Sequence, residues 1–307
     1  MKIRMLVSAL AVAALGGCAF PIDEGYFFAP RPIARQATDP AEMRLAGQEK
    51  ITNPAQLDPQ LARIPNLKGR LPATVTHEFV EIAGQRIAVT RVKAANASNS
   101  EPLIAYCAGQ AGGRYHPLSY IYAAKLLIWG EAIIFDYPGY GDSTGEPTLE
   151  NMAAFEKAAP AWLDTLAQNR PLVLWGHSLG GMICAQITQG SREADAIVLE
   201  TTAPNAADLA ETRKPWFAPV TLNLKDGLLY DVPAALAGFR GKIVVVGGGK
   251  DTVIPVRLAR SLAEQLKADG LDVTYLEYAS ASHQTATMNS GFARDAGPIF
   301  AGVADRN

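Results

Sequence analysis

From about Thr74 onward, short apolar runs alternate with longer amphipathic stretches. This pattern predicts a mostly parallel sheet with helices on both faces. Val75–Ile82 and Arg86–Lys93 read as a hairpin turned at Ala83-Gly84-Gln85. Leu103–Cys107 is a short buried strand, followed by a Gly-rich loop and a helix over about 118–128. Ala132–Asp136 is the next strand, and Asn151–Gln168 an amphipathic helix that Pro160 should kink. Strand Leu172–Trp175 then runs into a helix ending near Gln189. Strand Ala196–Glu200, an irregular stretch to Gly241, strand Ile243–Val246, helix Val256–Lys267 and strand Asp272–Tyr278 complete the series.

The first residues follow a different pattern. Lys2 and Arg4 precede an unbroken apolar run, Met5–Leu15, too short for the roughly 20 residues that span a bilayer. The run ends in Leu15-Gly16-Gly17-Cys18, which resembles a bacterial lipoprotein lipobox. That resemblance implies removal of residues 1–17, lipidation of Cys18 and a membrane partner reached through the lipid. The location it implies is the cell envelope, with Ala19 favouring the periplasmic side of the outer membrane. An ordinary cleaved signal peptide followed by a chance cysteine is the alternative. Residues 18–74 are punctuated by Pro21, Pro30, Pro32, Pro40, Pro54, Pro59, Pro65 and Pro72, which forbids long helices and central strands. They read as a tether packing along the surface of a domain that spans 75–307.

Composition narrows the function classes. With 307 residues, 49% of them hydrophobic, the chain can bury one large core. The formal net charge of −2 and the absence of a Lys/Arg cluster exclude a nucleic-acid partner. Beyond Cys18 only Cys107 and Cys184 remain, both in apolar runs. They provide no metal-ligand spacing and read as buried small hydrophobes, although a bridge in an oxidising compartment stays open.

The chemistry concentrates at Gly176-His177-Ser178-Leu179-Gly180. A G-x-S-x-G match is weak alone, but here an apolar strand enters it and a helix leaves it. Such a turn lifts Ser178 Oγ above the sheet edge, with the helix N-terminus aimed at the same point. A serine hydroxyl needs a base, and the base needs an orienting carboxylate. Chains of this architecture place them in the order Ser, acid, His. His77, His116 and His177 precede Ser178 or lie inside the motif, which leaves His283. Asp251 follows Ile243–Val246 through a glycine turn at the carboxyl edge of the sheet, where ligands gather in open α/β sheets. Glu200, ending the preceding strand, is its rival, and Asp272 sits at the wrong edge. Backbone N–H groups of Leu179 and Gln110 should form an oxyanion hole, the second from the loop Ala108-Gly109-Gln110-Ala111-Gly112-Gly113.

From about Pro102 to His283 the chain resembles the Bem46-like branch of the α/β-hydrolase superfamily. The runs that carry the likeness are Ala108-Gly109-Gln110-Ala111-Gly112, Phe135 through Ser143, Gly176 through Gly181, and Gly247 through Asp251 with Ile254-Pro255. Ala108 and Gln110 replace the His and Asn usual there. The resemblance implies an α/β-hydrolase fold, a small cap over residues 201–241, and hydrolysis of a small-molecule ester, thioester or lipid without cofactor or metal. A serine peptidase, or a binding protein on a catalytically dead fold, is the alternative. Trp216, Phe217, Leu222, Leu224, Leu228, Leu229 and Tyr230 give the cap an apolar character.

Overall fold

The computed structural model describes residues 19–29, 48–51, 66–110, 112–114, 116–188, 194–212, 214 and 221–304. Cys18, Trp216 and Phe217 therefore lie outside the described residues. A nine-stranded sheet organises the rest. Its strands are β2 (Gln48–Ile51), β3 (Ala73–Ile82), β4 (Gln85–Ala94), β5 (Leu103–Cys107), β6 (Glu131–Phe135), β7 (Leu172–His177), β8 (Ala196–Glu200), β10 (Lys242–Gly248) and β11 (Val273–Tyr278). They run in the order β11-β10-β8-β7-β5-β6-β4-β3-β2. The pairings from β6 through β11 are parallel, whereas β2, β3 and β4 add an antiparallel edge.

Strands buried on both faces must be apolar at every position, and β7 shows how. Leu172 and Leu174 face one core with Met182, Leu199 and Val245, while Val173 and Trp175 face the other with Tyr106, Tyr122 and Phe292. Helix α2 (Pro117–Leu126) and the C-terminal helix α8 (Ser290–Ala304) contribute to this second core. The sequence pattern did not reveal α8; Phe300 on it stacks on Trp175 with ring centroids 5.9 Å apart. Helix α3 (Leu149–Ala167), capped by Thr148, and α7 (Val256–Ala268) cover the first. In α7, Leu258, Leu262 and Leu266 repeat every four residues and form one buried stripe.

The segment 201–241 contains α5 (Ala206–Glu211), β9 (Thr221–Leu224) and α6 (Val232–Ala235). Tyr230 anchors it to α3 by donating its hydroxyl proton to buried Glu156 at 2.9 Å. Burial pushes the Glu156 carboxyl up to about 8, against the pull of that hydrogen bond.

One expectation needs correction, and one question left open is answered. Residues 19–29 do not merely lie along the surface. Their strand β1 (Ala19–Ile22) pairs in parallel with β9, and the short helix α1 (Glu24–Phe27) follows it, capped by Asp23. Ile22, Phe27 and Phe28 enter the core. The patterning could not reveal this, because β1 finds its partner some two hundred residues away. Secondly, Cys107 and Cys184 are bonded to each other, with Cα atoms 5.9 Å apart. Each is as apolar in its surroundings as expected, but the close approach of α4 (Leu179–Ile187) to the end of β5 brings the sulfurs together. Among the described residues no helix is long and apolar enough to cross a membrane.

Candidate active site

Ser178 sits between β7 and α4 with φ 58° and ψ −123°, a conformation that strains a residue bearing a Cβ. The turn is this tight because three glycines permit it. A Cβ on Gly176 would meet the Gly180 carbonyl, one on Gly180 would meet the Cys107 carbonyl, and one on Gly181 would press on Thr202. The Ser178 N–H is held by the Glu200 carbonyl at 2.9 Å. Leu179 opens α4, so its N–H is one of the donors a helix start leaves free.

Asp251 and His283 come from neighbouring strand ends, β10 and β11. The Gly249 N–H donates to Tyr278 O at 2.9 Å and the Lys250 N–H to Ala281 O at 2.8 Å, which stitches the two loops together. Asp251 Oδ1 accepts from the N–H groups of Val253 and Ile254, both at 2.8 Å. Its Oδ2 lies 2.8 Å from His283 Nδ1. A carboxylate oxygen only accepts, so Nδ1 carries the proton and Nε2 is left with its lone pair.

The His283 backbone is docked against the serine turn. His177 Nε2 lies 2.9 Å from His283 O, and Thr201 Oγ1 donates to the same carbonyl at 3.1 Å. Because that carbonyl can only accept, His177 holds its proton on Nε2. Burial, reinforced by the neighbouring His283, lowers His177 to about 4 and keeps the ring neutral. Thr201 itself has φ 46°. Among the described residues no hydrogen bond joins Ser178 Oγ to the His283 ring; such contacts are often long in unliganded enzymes and shorten with substrate.

Glu200, the rival acid, is engaged elsewhere. It accepts from Trp175 Nε1 at 2.9 Å and from Thr287 N at 3.1 Å, with Lys125 Nζ 4.0 Å away. Burial would raise Glu200, but Lys125, His177 and these hydrogen bonds outweigh it and hold the carboxyl below its ordinary value. Burial lowers Lys125 to about 8, partly offset by Glu200. This buried pair supports the floor beneath the site. Asp272 pairs with Lys242 at the far edge.

The Gly-rich loop also approaches Ser178. A Cβ on Gly109 would lie 3.4 Å from Ser178 Cβ. The backbone N–H of Gln110 meets no acceptor among the described residues, whereas its side-chain amide donates to Tyr26 O at 2.8 Å and Phe27 O at 2.6 Å. Tyr137 Oη donates to Ala108 O at 2.8 Å and fixes the first peptide of the loop. Asp136 accepts from Arg114 N at 2.6 Å and from Asp142 N at 3.1 Å, anchoring the loop's far end. The anchoring role of Asp136 was not read from the sequence, where Phe135 through Ser143 carried only a strand end and a family likeness; an Asp shortly before a Pro-Gly turn was the available clue.

A cavity of about 20 Å³ opens beside Ser178, walled by Ile22, Tyr26, Phe27, Leu179, Ala206 and Leu209. A larger cleft, about 530 Å³, lies between α3 and the segment around Tyr230 and does not include Ser178.

This arrangement is an α/β-hydrolase fold with its serine turn, acid and histidine at one edge of the sheet. Comparison with known proteins agrees. Residues 106–238 match the alpha/beta hydrolase family. An uncharacterized protein of Mycobacterium tuberculosis is 29% identical over 167 residues, 53% of this chain and 57% of that one. The lysophosphatidylserine lipase ABHD12 of Danio rerio is 24% identical over 203 residues, covering 59% of this chain and 53% of the lipase. The chain thus spans little more than half the length of these curated relatives. The Pyrococcus furiosus esterase Pf2001 superposes on 84% of this chain and 97% of its own, with a TM-score of 0.58 at 16% identity.

Proposed function

We propose that the chain is a serine hydrolase, Bem46-like in its sequence runs, that cleaves a carboxylic ester, thioester or lipid ester through an acyl-enzyme on Ser178. His283 Nε2 takes the hydroxyl proton as Ser178 Oγ attacks the acyl carbonyl carbon. The N–H groups of Leu179 and Gln110 receive the developing oxyanion. Asp251 keeps the ring in the required tautomer and stabilises the imidazolium. The imidazolium then protonates the leaving oxygen or sulfur, the acyl-enzyme forms, and water activated by the same ring releases the acid.

The observation that carries this reading is the Asp251–His283 hydrogen bond on a ring whose backbone is fastened to the serine turn. The pocket wall favours an ester over an aminopeptidase substrate, whose amine would need a carboxylate, since none of the described lining residues is charged. A fluorophosphonate probe should label the wild type and leave Ser178→Ala unlabelled. Ser178→Ala should also lose at least about 10³-fold in kcat on p-nitrophenyl acetate. Equal labelling of both would remove Ser178 from this role, and a folded wild type that turns over no ester would favour a binding protein.

We also propose that Cys18 is acylated and holds the enzyme in the cell envelope, on the periplasmic side of the outer membrane. The Cys107–Cys184 bond supports export, because disulfides persist in oxidising compartments. The mature N-terminal peptide should carry the mass of a diacylglycerol and an acyl chain.

A further inference from the structure

The wall of the cavity beside Ser178 is supplied from two sides. Leu179, Ala206 and Leu209 form one side, and Ile22, Tyr26 and Phe27, from residues 19–29, form the other. We infer that this N-terminal strap limits the acyl group the enzyme accepts, with Tyr26 and Phe27 as specificity-determining residues. The inference deepens the esterase reading and rests on it.

The strap is fastened at several points. Its strand runs in register with β9, from Ala19 beside Thr221 to Ile22 beside Leu224. The Lys225 N–H extends this ladder to Ile22 O at 2.9 Å, and Lys225 Nζ pairs with Glu24 at 2.5 Å. Tyr140 Oη donates to Phe28 O at 2.5 Å. Phe27 stacks on Tyr230, with centroids 5.4 Å apart. Most tellingly, the Gln110 amide, on the loop proposed to hold the oxyanion, donates to two successive strap carbonyls. The wall and the loop are therefore one assembly.

The space left is small. About 20 Å³ admits roughly one water molecule, whereas an apolar cavity of about 150 Å³ is large enough to hold benzene. An acetyl group needs little more room than this; on our inference an octanoyl chain is accepted only where Phe27 or Tyr26 gives way. One methylene more or less in an apolar pocket is worth roughly 10–200-fold in discrimination.

The test is a chain-length series of p-nitrophenyl esters on the full chain, with fluorophosphonate labelling to count assembled sites. The wild type should prefer acetate over octanoate by about 100-fold or more in kcat/KM. Phe27→Ala should reduce that ratio at least about tenfold while labelling persists. Because Phe27 also belongs to the core, Tyr26→Ala forms a second arm, with the same direction expected. A labelled wild type that cleaves octanoate as fast as acetate would overturn the inference, as would folded variants that keep the wild-type ratio. A wild type that takes no label brings down the esterase reading and this inference together.

Discussion

The two halves of the site are built on different physical plans. At the proposed catalytic edge, Ser178, Asp251 and His283 hang from the ends of β7, β10 and β11, within a continuous parallel sheet. Each hangs on a short turn, such as the strained serine or the glycine-lined acid loop, and the turns are held together by bonds between neighbouring strand ends such as Gly249 N–H to Tyr278 O. The opposite wall has no such frame. It consists of residues 19–29 laid against β9 and tied to Gln110 across 84 residues of sequence. The proposed chemistry thus rests on turns framed by the strands of one sheet, and the proposed selectivity on one segment docked outside it. A side-chain change confined to one should therefore leave the readout of the other in place.

This contrast can be broken in several ways. The largest effect is expected at the catalytic edge. Asp251→Asn should lower kcat by about 10³–10⁴-fold by favouring the wrong tautomer of His283. The acetate-to-octanoate ratio should stay at its wild-type value; a shift in the ratio would show that acid and wall are not separable. Next is the disulfide, which joins the end of β5 to α4 and closes a separation of 77 residues. Replacing both Cys107 and Cys184 by Ala should destabilise the chain by roughly 2–5 kcal/mol in denaturant titration.

The third test concerns the anchor of the segment above the site. Glu156 is held near 8 in the folded state, so it stays protonated there after the unfolded chain has ionised. Between the ordinary carboxylate value and about 8, the unfolded state binds fewer protons, and stability falls as pH rises. Glu156→Gln should flatten that fall and stabilise the protein by roughly 1–3 kcal/mol at pH 8, measured by urea midpoints at several pH values. An unchanged slope would show that Glu156 is ionised in the fold. The smallest effect is assigned to Thr201→Val, which removes one of two donors to the His283 carbonyl. It should reduce kcat by about three- to tenfold, with KM unchanged, since a neutral hydrogen bond is worth roughly 1 kcal/mol. An altered chain-length ratio would assign Thr201 to the pocket instead.

What could be read from the sequence divides along the same line. The serine turn, the glycine turn before Asp251 and the histidine after the last strand were legible because each depends on a few adjacent residues. The apolar runs of β5, β7, β8 and β10 were equally legible, since strands buried on both faces leave an unbroken signature. The strap was read as a surface tether because Pro21 and Pro30 obscure its pattern and its partner β9 is itself a short strand with alternating exposure. The sulfur bond could be left only as a possibility, and the Lys125–Glu200 pair was beyond reach, for a related reason. Each joins residues whose proximity exists only once β5, α4, α2 and β8 are stacked. The Gln at position 110, noted as a departure from the usual Asn, acquires a physical role only when Tyr26 and Phe27 are beside it.

Strand β1 opens at Ala19, directly after the cysteine proposed to carry lipid. Successive Cα atoms are only about 3.8 Å apart, so an acylated Cys18 would have almost no leash. The headgroup layer would lie against β9 and the rim of the acyl pocket, and the enzyme could neither tumble nor reach far into the aqueous space. A pull on the lipid would then be transmitted through one short strand towards the two carbonyls that the amide of Gln110 holds.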